Sequence, residues 1–151
     1  MHQTEAYAGR DCPDCAELIR LALEAREKAY APYSGFMVGA ALLTQDGAVY
    51  TGCNVENAAF SPTNCAERTA FFKAVSEGRR RFSAIAVVGA MQGAAPESFA
   101  YVYPCGVCRQ VMAEFCDADF QVVAAKNPED YVVRTLAGIL PEAFGPGDIE
   151  K

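Results

Sequence analysis

The chain has 151 residues, 52% of them apolar, and a net charge of −6. That length suits one domain with its own core, and the acidic balance argues against a polynucleotide partner, whose phosphates favour basic surfaces. No apolar run is long enough to span a bilayer.

Met1 to Arg10 is polar and carries no secretion signal, so a cytoplasmic protein is expected. The seven cysteines then read as thiols or metal ligands and not as a disulfide framework. Residues 1–12 are expected to be a flexible lead-in to a single domain covering 1–151. Asp14 to Tyr30 places Leu18, Ile19, Leu21, Ala22, Ala25 and Ala29 at helical spacing, with Asp11 or Asp14 as cap. Ala31-Pro32-Tyr33-Ser34-Gly35 breaks that helix. Phe36–Thr44 and Ala48–Cys53 read as two strands joined by Asp46-Gly47 as a two-residue hairpin turn.

Asn54 to Pro62 reads as loop, and Asn64 as the cap of a second helix that Gly78 ends after Glu77. Ala84–Gly89 is an apolar strand, followed by a loop at Gly93–Pro96. A third helix starts at Pro104 or Cys105 and runs to about Phe115. Phe120–Ala125 and Tyr131–Arg134 are further strands, and a short helix from Thr135 to Leu140 stops at Pro141. About five strands with helices on both faces predict an α/β domain.

Cys65-Ala66-Glu67, followed by Pro104-Cys105-Gly106-Val107-Cys108, carries the chemistry. Three cysteines can hold one zinc ion and leave its fourth position open, and an open zinc site beside a carboxylate is a device for activating water. The C-x-E … P-C-x-x-C order matches the signature of zinc-dependent nucleobase deaminases, with cysteine in place of histidine. Two other readings stand beside it. Cys105–Cys108 alone resembles a redox dithiol, and Cys12-Pro13-Asp14-Cys15 offers a second C-x-x-C that would complete a four-thiolate structural zinc site. Cys12 and Cys15 are also explained as incidental thiols.

Helix starts stabilise thiolates through unpaired N–H groups and partial positive charge. Three thiolates make the site anionic, which weakens its pull on water, so charge must be drawn from the sulfurs. Arg68, beside the ligand turn, is expected to donate hydrogen bonds to them. Glu67 is the expected proton carrier.

Four blocks go further. They are Tyr30-Ala31-Pro32-Tyr33-Ser34-Gly35-Phe36 with Val38-Gly39-Ala40-Ala41, then Gly52-Cys53-Asn54-Val55-Glu56-Asn57-Ala58, then Cys65-Ala66-Glu67-Arg68-Thr69-Ala70, and Pro104-Cys105-Gly106-Val107-Cys108-Arg109-Gln110. With the tail Leu140-Pro141-Glu142-Ala143-Phe144-Gly145-Pro146, the chain resembles the small, three-cysteine cytidine deaminases over nearly its whole length.

The resemblance implies a three-layer α/β/α sandwich around a mixed five-stranded sheet, one Zn²⁺ per subunit, and a homotetramer with shared active sites. It implies hydrolytic deamination of cytidine and 2′-deoxycytidine in pyrimidine salvage, with a small-molecule nucleoside as partner and neither nucleic acid nor membrane. It implies that Asn54 and Glu56 bind the ribose hydroxyl and that Phe36 packs near the nucleoside. Backbone groups at Ala58 and Ala66 would contact the pyrimidine, and Phe144 would enter a neighbouring subunit's site. Phe60, Met37 and Tyr103 depart from the family's commonest residues, which leaves fine substrate preference open. A deaminase of an aminopyrimidine antibiotic or nucleotide, and a non-catalytic structural zinc module, stand as alternatives.

Overall fold

The computed structural model describes residues 14–149. The expected flexible lead-in and Cys12 lie outside them. The elements in order are α1 (Cys15–Arg26), β1 (Phe36–Thr44), β2 (Val49–Cys53), α2 (Ala66–Ser76), β3 (Phe82–Met91), α3 (Gly106–Phe115), β4 (Gln121–Asn127), β5 (Asp130–Thr135) and α4 (Leu136–Ile139). Short 3₁₀ turns fill Pro96–Ser98 and Pro146–Asp148.

The five strands form one mixed sheet in the order β2-β1-β3-β4-β5, with β3 and β4 parallel and the other neighbours antiparallel. Period-two alternation splits the core between its faces. Leu18, Ile19 and Ala22 of α1 pack against Ala41, Ala86, Val88, Val123 and Val133. On the opposite face Ala70, Phe71 and Ala74 of α2 and Met112 of α3 pack against Leu42, Ile85, Val87 and Val122. The result is the expected three-layer arrangement. Each large side chain buried here, such as Ile19 or Phe71, contributes about 1.5–3 kcal/mol.

Helices on both faces need close backbone approach. A Cβ on Gly52 of β2 would lie 2.4 Å from the Ala66 carbonyl oxygen of α2, and one on Gly39 of β1 would lie 2.0 Å from that of Ala22 of α1. Only glycine permits those contacts. Arg26, buried at the end of α1, joins its helix to the sheet by donating from Nη2 to the carbonyls of Ala90 and Met91, both at 2.9 Å, and from Nε to Met37 O at 3.0 Å.

Topology sets where the chemistry lies. β2 and β3 are both antiparallel to β1, so they run in the same direction, and α2 and α3 each follow one of them. Both helices therefore begin at the same end of the sheet, where β1 also begins. In open α/β sheets the carboxyl ends of strands are the usual place for ligands.

Several local expectations change. The first helix ends at Arg26, short of Tyr30, because Tyr30 donates its N–H to Asn54 O (3.0 Å) and accepts from Glu56 N (2.8 Å). The hairpin closes on Thr44 N–H to Ala48 O at 2.8 Å, leaving three loop residues, with Gly47 alone at positive φ (95°). A two-residue turn of the expected kind would need Asp46 in that region too. Asp14 caps α1, accepting from Glu17 N. Asn64 does not cap α2, because the helix begins at Ala66 with Cys65 at the N-cap; the Asn64 side chain donates from Nδ2 to Thr69 Oγ1 at 3.1 Å. Among the described residues no helix is long and apolar enough to cross a membrane.

Candidate metal centre and adjoining cavity

Cys65 is the N-cap residue of α2, and Cys105 is the N-cap residue of α3. Both have extended backbones and neither helix has a side-chain oxygen closing its first turn. A thiol thus stands at each end where serine or aspartate usually sits. Cys108 is three residues on from Cys105, so the C-x-x-C spacing is the spacing from cap to third helical residue. Two helix starts converge, and their free N–H groups favour negative charge on sulfur.

The three Sγ atoms lie within 4.8 Å of one another, and Cys65 Sγ is 3.7 Å from Cys105 Sγ. All three cysteines are free, and a disulfide would need about 2.05 Å. Two sulfurs bound tetrahedrally to one zinc, each at about 2.3 Å, stand about 3.8 Å apart. The donor set therefore fits zinc in spacing and chemistry. No fourth histidine, cysteine or carboxylate ligand atom of the described residues joins the group. Cys15 is buried among the α1 contacts on the other face of the sheet, so it is not brought to this cluster.

Arg68 Nη2 donates to Cys65 Sγ at 3.2 Å, and its Nε is buried without a partner. The Cys108 thiol, donating to Cys65, pulls the Cys65 thiol down to about 5, with Arg68 adding to the effect. Cys108 moves well upward for the same reason, because it faces that thiolate and is buried. A dication held here would deprotonate all three. Glu67, on the first turn of α2 and only 4% exposed, is pushed up to about 7 chiefly by burial.

A cavity of about 220 Å³ opens beside the sulfurs. Cys65, Ala66, Glu67 and Cys105 line one end, and Phe36, Asn54 and Glu56 line the rest together with Ser34, Val102 and Tyr103. Asn54 clasps β1, accepting from Val38 N and donating to Phe36 O, both at 2.8 Å. Glu56 accepts from the backbone N–H groups of Tyr33 (2.9 Å) and Ser34 (3.1 Å) and from the Ser34 hydroxyl. Those donors, the hydroxyl foremost, hold its carboxyl below the usual range. Ala58 is exposed and lies outside the lining, as does Phe144, which is 60% exposed.

Sequence reading passed over Ser34, whose Oγ also accepts from Phe36 N at 2.9 Å and so ties Glu56 to the start of β1. Its place in the turn before an aromatic strand residue was the available signal. Arg109 also had no role assigned. It donates to Pro104 O at 2.7 Å and to Ile139 O at 2.6 Å, fixing the turn before Cys105 to the end of α4.

The family model described as "Cytidine and deoxycytidylate deaminase zinc-binding region" matches residues 12–124. The chain is 52% identical over 136 residues to a cytidine deaminase from Sporosarcina psychrophila, covering 90% of this chain and 95% of the relative. The crystal structure of cytidine deaminase from Burkholderia pseudomallei superposes with a TM-score of 0.74 at 51% identity, covering 85% of this chain and 97% of that one. That of cytidine deaminase from Mycobacterium tuberculosis gives 0.74 at 38% identity, covering 89% and 99%.

Proposed function

Because the chain belongs to the cytidine and deoxycytidylate deaminase family, we propose that it hydrolyses cytidine and 2′-deoxycytidine to uridine and 2′-deoxyuridine with release of ammonia. The observation that carries this reading is one cavity lined by Glu67, two of the three clustered sulfurs, Phe36, Asn54 and Glu56.

Cys65, Cys105 and Cys108 hold one zinc ion per subunit. When bound, the ion supplies the Lewis-acid pull that makes water nucleophilic near neutral pH. Phe36 packs against the flat base, Asn54 and Glu56 take the sugar hydroxyl, and the backbone of Ala66 meets the base's polar edge. Glu67 accepts one proton from water at its carboxylate and delivers it to ring N3. It then takes the second from the hydroxyl on C4, which becomes the carbonyl, and gives it to the departing amine. The water oxygen bonds to C4, the bond from C4 to the amino nitrogen breaks, and ammonia leaves. Burial, which raises its pKa to about 7, makes Glu67 basic enough to take a proton from water. Arg68 draws charge from the sulfurs and offsets the three thiolates.

The nucleoside is favoured over the nucleotide because no lysine or arginine lines the cavity among the described residues, whereas a phosphate calls for such a cation. The exposed Phe144 supports a homotetramer in which that ring enters a neighbour's site. The free thiols suit a reducing cytoplasm. Zinc-loaded protein incubated with cytidine should lose ultraviolet absorbance as uridine forms. Unchanged absorbance would reduce the site to a structural zinc module.

A further inference from the structure

The cavity wall is shaped from behind by a residue that does not line it. We infer that Gly89 of β3 is a positioning residue for substrate binding: its missing side chain is the space in which Phe36, Val38 and Val102 seat. This rests on the deaminase reading and asks what sets the depth of that same site.

Gly89 is buried in the sheet and pairs with Val38 across the β1–β3 ladder. A Cβ there would stand 3.2 Å from Phe36 Cε2, 3.2 Å from Val38 Cγ2 and 3.3 Å from Val102 Cγ2. All three contacted side chains line the cavity. All three are tighter than an ordinary contact, so any side chain at position 89 must move off the least yielding of them and press on the most yielding.

The surroundings decide which one yields. Val38 is held inside the ladder and by its N–H to Asn54 Oδ1 at 2.8 Å. Val102 lies between two anchors. On one side the Tyr101 hydroxyl donates to Asp130 while Lys126 sits 4.7 Å over the Tyr101 ring, and on the other Arg109 Nε holds Pro104 O at 2.7 Å. Phe36, at the first position of β1 and only half-buried, has free space on its cavity side. Added volume at 89 thus drives the Phe36 ring into the room the base requires. The sulfurs and Glu67 stand on other elements and keep their places.

Gly89→Ala, Val102→Ala and the double variant, each loaded with zinc, test this. One methyl group in a packed binding wall should raise KM for cytidine about tenfold in Gly89→Ala, with zinc stoichiometry unchanged and kcat nearly so. In the double variant the new methyl occupies the space vacated by Val102, and KM should return most of the way. A general structural defect would lower zinc content and kcat together and would not be rescued by a second truncation. An unmoved KM in Gly89→Ala, or no recovery in the double variant, overturns the inference. Should Gly89→Ala fail to fold, the double variant still decides: a folded, zinc-loaded protein with KM near that of wild type supports the inference, and failure to fold there too overturns it. Wild-type protein separates the two levels, since absence of cytidine turnover sinks the deaminase reading, and turnover with an unmoved KM sinks only the role of Gly89.

Discussion

Arg68 donates from Nη2 to the Cys65 sulfur at 3.2 Å, across three positions of the first turn of α2. The guanidinium is a fixed, permanently charged fork, so it neutralises part of the sulfur charge without competing as a ligand. Arg68→Gln should bind zinc about ten- to a hundredfold more weakly, the range seen when groups supporting a metal ligand are removed. Arg68→Lys, which keeps charge but loses the fork, should fall between. Competition with a chromophoric chelator measures this, and equal affinities in all three proteins would leave Arg68 a surface residue.

Metal binding should depend on Cys105 and not on the N-terminal C-x-x-C. Cys105 caps α3 and shares the cluster with Cys65 and Cys108, whereas Cys15 is packed on the opposite face of the sheet. Cys105→Ala is therefore expected to lose stoichiometric zinc and some thermal stability with it, because metal binding and folding are linked. Cys15→Ala should keep its zinc. The reverse outcome, read by elemental analysis, would move the site.

Glu67 is buried beside the sulfurs with no other carboxylate lining that end of the cavity among the described residues. Glu67→Gln preserves shape and removes the ability to carry a proton. Turnover should drop by about 10²–10⁴, the usual contribution of a positioned acid–base group, while zinc content and cytidine binding persist. Full activity in this variant would mean that another group moves the proton.

How much of this was written in the sequence differs from element to element. β1 matches its expected bounds because Phe36–Thr44 is bracketed by a glycine turn and a hairpin. The three clustered cysteines were legible because a metal site needs fixed residue types at fixed spacing. Their position as helix caps was not, because the extended backbones of Cys65 and Cys105 follow from where β2 and β3 deliver the chain. The same holds for Asn64, a good cap by type, which stands one residue ahead of the N-cap. Long-range partners such as Arg26 with Ala90 and Met91, or Gly52 with Ala66, leave no local trace in the sequence.

Glu56 is expected to remain ionised in acid further than an ordinary glutamate. The Ser34 hydroxyl, then the Ser34 and Tyr33 N–H groups, lower its pKa from 4.5. A lowered folded value means that these bonds stabilise the fold above the unfolded pKa, and that their contribution disappears as pH falls through the folded one. Replacing Ser34 by alanine removes the leading cause, so the Glu56 titration should move upward toward 4.5. Carboxyl-carbon NMR titration of wild type and Ser34→Ala checks this, and coincident curves would count against the Ser34 contact. Since Ser34 also accepts from Phe36 N, KM for cytidine should rise in the same variant.

Gly52 couples the sheet to the metal centre. Its missing Cβ faces the Ala66 carbonyl oxygen at 2.4 Å and the Ala70 nitrogen at 2.6 Å, both backbone atoms of α2 that cannot rotate aside. Gly52→Ala must push the start of that helix away from β2. Overpacking of this kind typically costs about 1–3 kcal/mol, and more when backbone has to move. The displaced turn is the one carrying Cys65, Glu67 and Arg68, so zinc affinity should fall together with melting temperature. Gly47→Ala supplies the control: that glycine has positive φ (95°) but meets nothing within 4 Å and lies in the hairpin loop. It should lose stability through backbone strain alone and retain its zinc. Calorimetry and zinc titration on the two variants separate the effects, and a Gly52→Ala protein that binds zinc as tightly as wild type would show that α2 is not seated by this contact.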